Sequence, residues 1–224
     1  MRIVIVTVLL AVGVAGIAWA EWEPDVRLTS DPANSYVYVS NARRVAATES
    51  RVYAVWQDDR DGNWEVYCKV RTLAGWGPDN RLSTNDSASR YPAVAADSDY
   101  VYVVWQDRLN EDDEVFYMRS TDRGLNWTGS RLTEDDSFPS MHVAVAAWGP
   151  VVHVAWEDFR DGAPELYYAR STDAGTTWGR TRLTSDDNFM SQFPALAISG
   201  SHVHVVWHDN RDGNWEIYYM RSLD

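Results

Sequence analysis

Acidic and guanidinium side chains recur in one arrangement along this 224-residue chain. Trp56-Gln57-Asp58-Asp59-Arg60-Asp61-Gly62, Trp156-Glu157-Asp158-Phe159-Arg160-Asp161-Gly162 and Trp207-His208-Asp209-Asn210-Arg211-Asp212-Gly213 each set an Asp two residues after a Trp and an Arg two residues beyond the Asp. The variant Trp105-Gln106-Asp107-Arg108-Leu109-Asn110-Glu111 keeps the Trp and the Asp. A guanidinium fork meets a carboxylate through two parallel hydrogen bonds, so the pattern serves either of two chemistries. In one, Asp58, Asp107, Asp158 and Asp209 cap their turns and pair with Arg60, Arg160 and Arg211 to hold neighbouring units in register. In the other, a crown of Asp, Arg and aromatic side chains hydrogen-bonds and stacks on sugar rings, with Arg meeting the carboxylates of acidic glycans. A unique Arg also stands at Arg90-Tyr91-Pro92, where other stretches read Ser137-Phe138-Pro139 and Gln192-Phe193-Pro194.

Other chemistry-bearing groups are weaker signals. Asp135-Asp136 and Asp186-Asp187 could converge with Asp158 or Asp209 on Ca²⁺, although no EF-hand spacing is present. His153 and His204 share a repeat position with Tyr53 and Tyr102, and His202 lies on the same strand face as His204, which favours packing over a zinc site. No cofactor and no metal is therefore assigned. Cys68 is the single cysteine and occupies the place of Tyr117, Tyr168 and Tyr219, so it reads as a core residue, and no disulfide braces the fold. Beyond residue 20 the chain carries 33 acidic against 19 basic side chains, a balance that repels a phosphate backbone and excludes nucleic-acid partners.

These residues are positioned by an internal repeat. Trp56, Trp105, Trp156 and Trp207 are spaced by 49, 51 and 51 residues, and Glu65, Glu114, Glu165 and Glu216, each opening an aromatic run, keep the same spacing. Arg-Leu-Thr/Ser recurs at Arg27, Arg81, Arg131 and Arg182. Within a unit, apolar runs separated by turn residues give four β segments, in the second copy 91–96, 100–106, 114–120 and 127–133, with the acidic stretch 107–113 as a turn. Val101 to Trp105 is apolar at every position, which requires burial on both faces. Four-stranded units stacked front to back are blades, so the fold expected is an all-β propeller of four four-stranded blades, over a domain spanning 21–224. A two-sheet sandwich is the alternative, but nothing in it requires a fixed period. Residues 1–20, with one Arg, no acid and an apolar run ending in Ala18-Trp19-Ala20, read as a signal peptide cleaved near Ala20. The mature chain would then be secreted or periplasmic, and it holds no further apolar stretch long enough to span a membrane.

The loop after the third segment reads Ser120-Thr121-Asp122-Arg123-Gly124-Leu125-Asn126-Trp127 in one unit and Ser171-Thr172-Asp173-Ala174-Gly175-Thr176-Thr177-Trp178 in the next. It resembles the Asp box of the bacterial neuraminidase repeat found in sialidases and their relatives, and through the 51-residue period the resemblance extends over nearly all of the mature chain. The resemblance implies that Ser120, Asp122, Gly124, Trp127, Ser171, Asp173, Gly175 and Trp178 are structural, at the blade periphery and away from the catalytic funnel. The first unit departs from it, keeping Gly75 and Trp76 without the box Asp. Sialidase chemistry further requires a Tyr nucleophile with a Glu partner, an Asp acid and three Arg around the substrate carboxylate. Arg90 is the nearest match to the family's Arg-Ile-Pro signature, and the resemblance implies that it joins the ligand-binding set; no nucleophile pair is singled out, so no catalytic residue is assigned. The expectation is a non-catalytic recognition or scaffold domain directed at a glycan or cell-surface polysaccharide, with exo-sialidase-type hydrolysis as the alternative.

The chain ends bear on closure. Trp22 to Leu28 matches Trp76 to Leu82, so the mature chain is expected to begin on a fourth strand, with strand 22–29 pairing with strand 215–222 to close a monomeric ring of four blades. Sialidases have six blades, so a fragment of a six-bladed propeller or an assembly of two chains stands as the alternative.

Overall fold

The computed structural model describes residues 24–37, 43–109 and 111–222; the expected signal peptide lies outside them, as do Trp22 and Glu23. Every described element is a strand, and all pairing is antiparallel. The first sheet holds β1 (Ser35–Tyr36), β2 (Val45–Ala47), β3 (Val52–Asp58), β4 (Glu65–Thr72) and β5 (Gly75–Arg81). The second is β6 (Ser89–Asp97), β7 (Tyr100–Leu109), β8 (Asp112–Ser120) and β9 (Thr128–Arg131), and the third is β10 (Ser140–Trp148), β11 (Val151–Asp158), β12 (Glu165–Ser171) and β13 (Gly179–Arg182). The fourth has three strands, β14 (Ser191–Ser199), β15 (His202–Asp209) and β16 (Glu216–Arg221). The second, third and fourth sheets are meanders in sequence order, the blade expected from the repeat, and in the first β1 and β2 both pair with β3 ahead of the β3-β4-β5 meander.

Consecutive blades pack face to face through their apolar positions. Val55, Val66 and Cys68 of the first blade meet Val94, Val103 and Trp105 of the second in one buried cluster. Tyr102, Val104 and Val115 of the second meet Val145, Val154 and Trp156 of the third in another. Leu166 of the third meets Val203, Val205 and Trp207 of the fourth. Val101 to Trp105 is buried throughout because β7 is covered on both sides, as its unbroken apolar run requires. Cys68 lies in this core, where burial pushes its thiol up to about 12, so it is a small apolar residue and not a nucleophile.

Three expectations are corrected. The stretch 107–113 is not one turn: β7 runs through Leu109 and β8 starts at Asp112, in a tight hairpin with Glu111 at φ 80°. Arg90-Tyr91 does not align with Ser137-Phe138, because Arg90 pairs with Gln106 as Met141 pairs with Glu157 and Gln192 with His208. Finally, residues 24–30 form no strand on β16. The carbonyl of Leu28 accepts a hydrogen bond from Lys69 Nζ (2.6 Å), which keeps this segment beside the first blade.

Candidate functional site

The Asp crown is assembled by the end of each middle strand. Asp58 Oδ2 accepts from Ser35 Oγ (2.6 Å), Trp56 Nε1 (3.1 Å) and Arg60 Nη2 (2.6 Å), and its Oδ1 from Arg60 Nε (2.9 Å). Asp158 repeats this with Ser140, Trp156 and Arg160, and Asp209 with Ser191, Trp207 and Arg211. Burial pushes the Asp58 carboxyl upward, but the hydrogen bonds from Arg60, Ser35 and Trp56 outweigh it and hold the group at about 2. Each guanidinium also lies over the next aromatic ring, Arg60 over Tyr67 at 4.4 Å, Arg160 over Tyr167 at 4.9 Å and Arg211 over Tyr218 at 4.5 Å. The tyrosine hydroxyls donate in turn to Asp61, Asp161 and Asp212. Arg60, Arg160 and Arg211 are thus paired off within their own blades.

The second blade breaks the pattern in a correlated way. Leu109 replaces the Arg and Phe116 the Tyr, and Asp107 is served by Asn85, Ser89 and Trp105, with its Oδ1 buried and without a hydrogen bond. Arg90, the second residue of the inner strand β6, is half-buried, and its side chain makes no hydrogen bond or ion pair among the described residues. Its charge is felt by Asp113, whose carboxyl is raised by burial and held back by Arg108 and Arg90.

The two box turns sit at the other end of the strands, since Ser120 pairs across from Val101 while Glu114 pairs across from Asp107. Asp122 Oδ1 accepts from Ser120 Oγ (2.7 Å) and from the backbone amides of Leu125 (3.1 Å) and Asn126 (2.8 Å), and Gly124 N donates to Ser120 Oγ (2.7 Å). The Asn126 amide and side chain, with Ser120, hold the Asp122 carboxyl at about 2. Ser171, Asp173 and Gly175 repeat the geometry with Thr176 and Thr177. Trp127 Nε1 donates to the Gly124 carbonyl, whereas Trp178 packs edge-on against Tyr117. Both turns rest on the preceding blade: Arg51 donates to the Arg123 carbonyl, and Tyr117 to that of Gly175.

The calcium and histidine candidates are engaged elsewhere. Asp136 faces Arg160 and caps Phe138 N, and Asp187 caps Phe189 N. His153 and His204 stack on Tyr168 and Tyr219 with Nδ1 to hydroxyl distances of 2.5 and 2.8 Å. Among the described residues no three His, Cys, Asp or Glu side chains converge as a metal site would need.

Sequence reasoning missed a belt of side chains on the inner strands. A bulge interrupts the pairing of β6, β10 and β14 after their second residue, and Tyr91, His142 and Phe193 hold φ of 55°, 52° and 54° there. Non-glycine residues adopt that region at a cost, and such bulges re-aim side chains at functional places. Each bulge amide donates to the preceding blade: Tyr91 N to Gln57 Oε1 (3.0 Å), His142 N to Gln106 Oε1 (3.2 Å), Phe193 N to Glu157 Oε1 (2.5 Å). In the first blade the inner strand is split into β1 and β2. Ser35 lies 23 residues before its Asp partner, where Ser89, Ser140 and Ser191 lie 18 before theirs. That spacing was the signal available in the sequence. Beside the split, Tyr36, Gln57, Trp64, Arg90 and Tyr91 line a cavity of about 330 Å³, with the Tyr36 and Trp64 rings 5.5 Å apart. It combines two tilted aromatic faces, a neutral amide and an unpaired cation.

Fold and site together define the class: a β-propeller, three of whose described blades are pinned by Asp–Arg pairs, with a cavity of aromatic, amide and guanidinium side chains between its first two blades. No protein-family model matches the chain, and no curated protein matches it. Among solved structures it is similar to the α-L-arabinofuranosidase Arb93A from Fusarium graminearum, at 14% identity and a TM-score of 0.58, aligning 82% of this chain with 63% of that one. It is also similar to a Trypanosoma rangeli sialidase in complex with sialic acid, at 17% identity and a TM-score of 0.55, over 83% of this chain and 36% of that one. An ulvan lyase of polysaccharide lyase family 25 aligns at 10% identity and a TM-score of 0.56, over 86% of this chain and 52% of that one. The chain spans less than two thirds of the length of each, and at these identities the likeness is one of fold.

Proposed function

We propose that this propeller is a carbohydrate-recognition domain that binds an acidic sugar without cleaving it, in the cavity between its first and second blades. The observation that carries the reading is Arg90, a half-buried cation without an ion pair, on the wall of a cavity shared with Trp64 and Tyr36. The aromatic faces stack on a pyranose ring, Gln57 supplies an amide, and Arg90 takes the carboxylate. The folds of carbohydrate-active neighbours support a glycan ligand, whereas the crown arginines are engaged by their own aspartates. Calorimetry against sialylated and uronate-containing oligosaccharides tests this. Arg90→Ala removes a charge-assisted contact worth about 1.5–3 kcal/mol, so affinity should fall roughly 10- to 100-fold. Trp64→Ala should weaken acidic and neutral sugars alike. Absence of any acidic-sugar binding, or an unchanged affinity in Arg90→Ala, overturns the assignment.

Exo-sialidase-type hydrolysis is the second reading, favoured by Asp113, whose burial near Arg90 raises its carboxyl toward the protonated form a general acid needs. Release of sialic acid from a fluorogenic substrate, abolished by Arg90→Ala, would establish it. We also assign the two Ser-x-Asp-x-Gly turns to the Asp-box repeat family. Export after cleavage near Ala20, to a secreted or periplasmic location, belongs to the same reading, and N-terminal sequencing of the exported protein reads it directly.

A further inference from the structure

The two end faces of the blade series carry apolar surface that the interior blades bury. On the rear of the first three blades, Val55, Val66 and Cys68, then Val104, Val115 and Tyr117, then Ala155 and Leu166, are covered by the blade that follows. The same repeat positions on the fourth blade are Val206, Ile217 and Tyr219, and Ile217 is 75% exposed where Val66, Val115 and Leu166 are 0%. At the front of the first blade Val45 is 55% exposed, while its counterpart Val94 is 0%. A cavity of about 420 Å³ opens on that front face, lined in part by Val45, Val52, Ala54 and Trp56.

The polar groups tell the same story. Gln57, Gln106 and Glu157 each reach the bulge amide of the following blade; His208 holds that position on the fourth, and its Nε2 is buried without a hydrogen bond. Glu65, Glu114 and Glu165 are buried and bound by Ser83, Thr133 and Thr184 of the Arg-Leu-Thr/Ser segments that lead into the next blade. Glu216 is exposed, bound by Asn214, while Arg27-Leu28-Thr29 waits beside the first blade, which it precedes as Arg131-Leu132-Thr133 precedes the third.

We propose that a second copy of this chain packs the front of its first blade on the rear of the fourth, with its Arg27–Thr29 segment completing the sheet along β16. The partner is a second copy because the front of the first blade and the Arg27–Thr29 segment hold, by repeat position, the side chains that each interior blade receives from the blade that follows it. The interior blades already show three times that such faces fit. Among the described strands, extensive packing joins consecutive blades only, and none joins the first sheet to the fourth. The contact is heterologous, so copies add head to tail until a ring closes. The proposal departs from the monomer expected from the sequence.

Sedimentation velocity of the full chain over a concentration series should show species of twice the chain mass or more. Val45→Asp and Ile217→Asp alter exposed positions at opposite ends, and each alone should sediment as a monomer. Mixed in equal amounts they retain one intact front and one intact rear, and should form a one-to-one dimer and nothing larger. A wild-type monomer at every concentration, as closure of the chain on itself would give, overturns the proposal. So does assembly that both substitutions leave unchanged, or a mixture that stays monomeric. Hydrogen exchange of the wild-type β16 amides guards against a misfolded variant: protection must rise with protein concentration, and concentration-independent exchange refutes the interface.

Discussion

Replacing Arg60 with Ala removes the fork that grips Asp58 from Nε and Nη2, while Ser35 Oγ, Trp56 Nε1 and the residue-60 amide remain as donors. Asp58 is fully buried, so the carboxylate loses its counter-charge without gaining water. Two charge-assisted hydrogen bonds lost from a buried acceptor that keeps three others cost about 2–3 kcal/mol, which for a chain of this length lowers the melting temperature by roughly 4–12 °C. The pH dependence supplies a second reading of the same pair. Asp58 is held at about 2 in the folded protein against an ordinary 3.8. Its folded value is depressed, so it contributes roughly 2 kcal/mol above pH ~4, and this is lost as pH falls toward 2. Urea unfolding at pH 7 and at pH 2.5 should therefore show a wide gap between wild type and Arg60→Ala at the higher pH and a narrow one at the lower. A gap under about 0.5 kcal/mol at pH 7, or one of equal size at both, would refute the claim that the fork pins the blade.

Gly124 sits at φ +84° with Val70 Cγ2 and Tyr53 Cε1 of the preceding blade 3.2 and 3.3 Å from where a Cβ would stand, so Gly124→Ala should destabilise by about 1–3 kcal/mol in thermal melts. Gly62→Ala, at φ +96° but facing open space, should cost less. Burial raises Glu114 to about 7 against the hydrogen bond from Thr133. The unfolded chain therefore ionises first, wild-type stability falls between pH ~4.5 and 7, and Glu114→Gln should gain about 2–3 kcal/mol on wild type at pH 7 relative to pH 4. His153 moves the other way: burial and then Arg170 lower it to about 4, so it is neutral when folded. Its contribution is lost as pH falls from 6.5 toward 4, and His153→Tyr, matching Tyr53 and Tyr102, should gain about 1–2 kcal/mol on wild type between pH 7 and 5 in urea titrations.

Which elements form was legible because a blade is specified locally. The apolar run Val101 to Trp105 between turn residues, repeated at Trp56, Trp156 and Trp207, needs only period and burial to be read as the middle of a stacked sheet. The box turns were legible for the same reason: every hydrogen bond of Asp122 and Asp173 lies within four residues. Within one unit, too, the Asp and Arg stand two residues apart, so the sequence named both partners of each pair. Left open was whether those arginines were paired or presented to a ligand, since that depends on where the forks point.

The cavity was not legible, because Tyr36, Gln57 and Trp64 come from one blade and Arg90 and Tyr91 from the next, and their meeting depends on how a bulged inner strand leans on its neighbour. The registers of Arg90 and of the stretch 107–113 were misjudged because a bulge and a two-residue hairpin shift pairing by residues whose types barely change. Closure escaped for a stronger reason. Residues 24–29 have the side chains of a fourth strand, but the repeat makes every blade edge accept that strand alike, and chain composition does not say which edge it meets. Sequence determined the blade, its period and its internal pins, all set by neighbours along the chain or across one hairpin; tertiary structure alone decided the cavity and the fate of the two end faces, because these depend on how whole sheets are stacked.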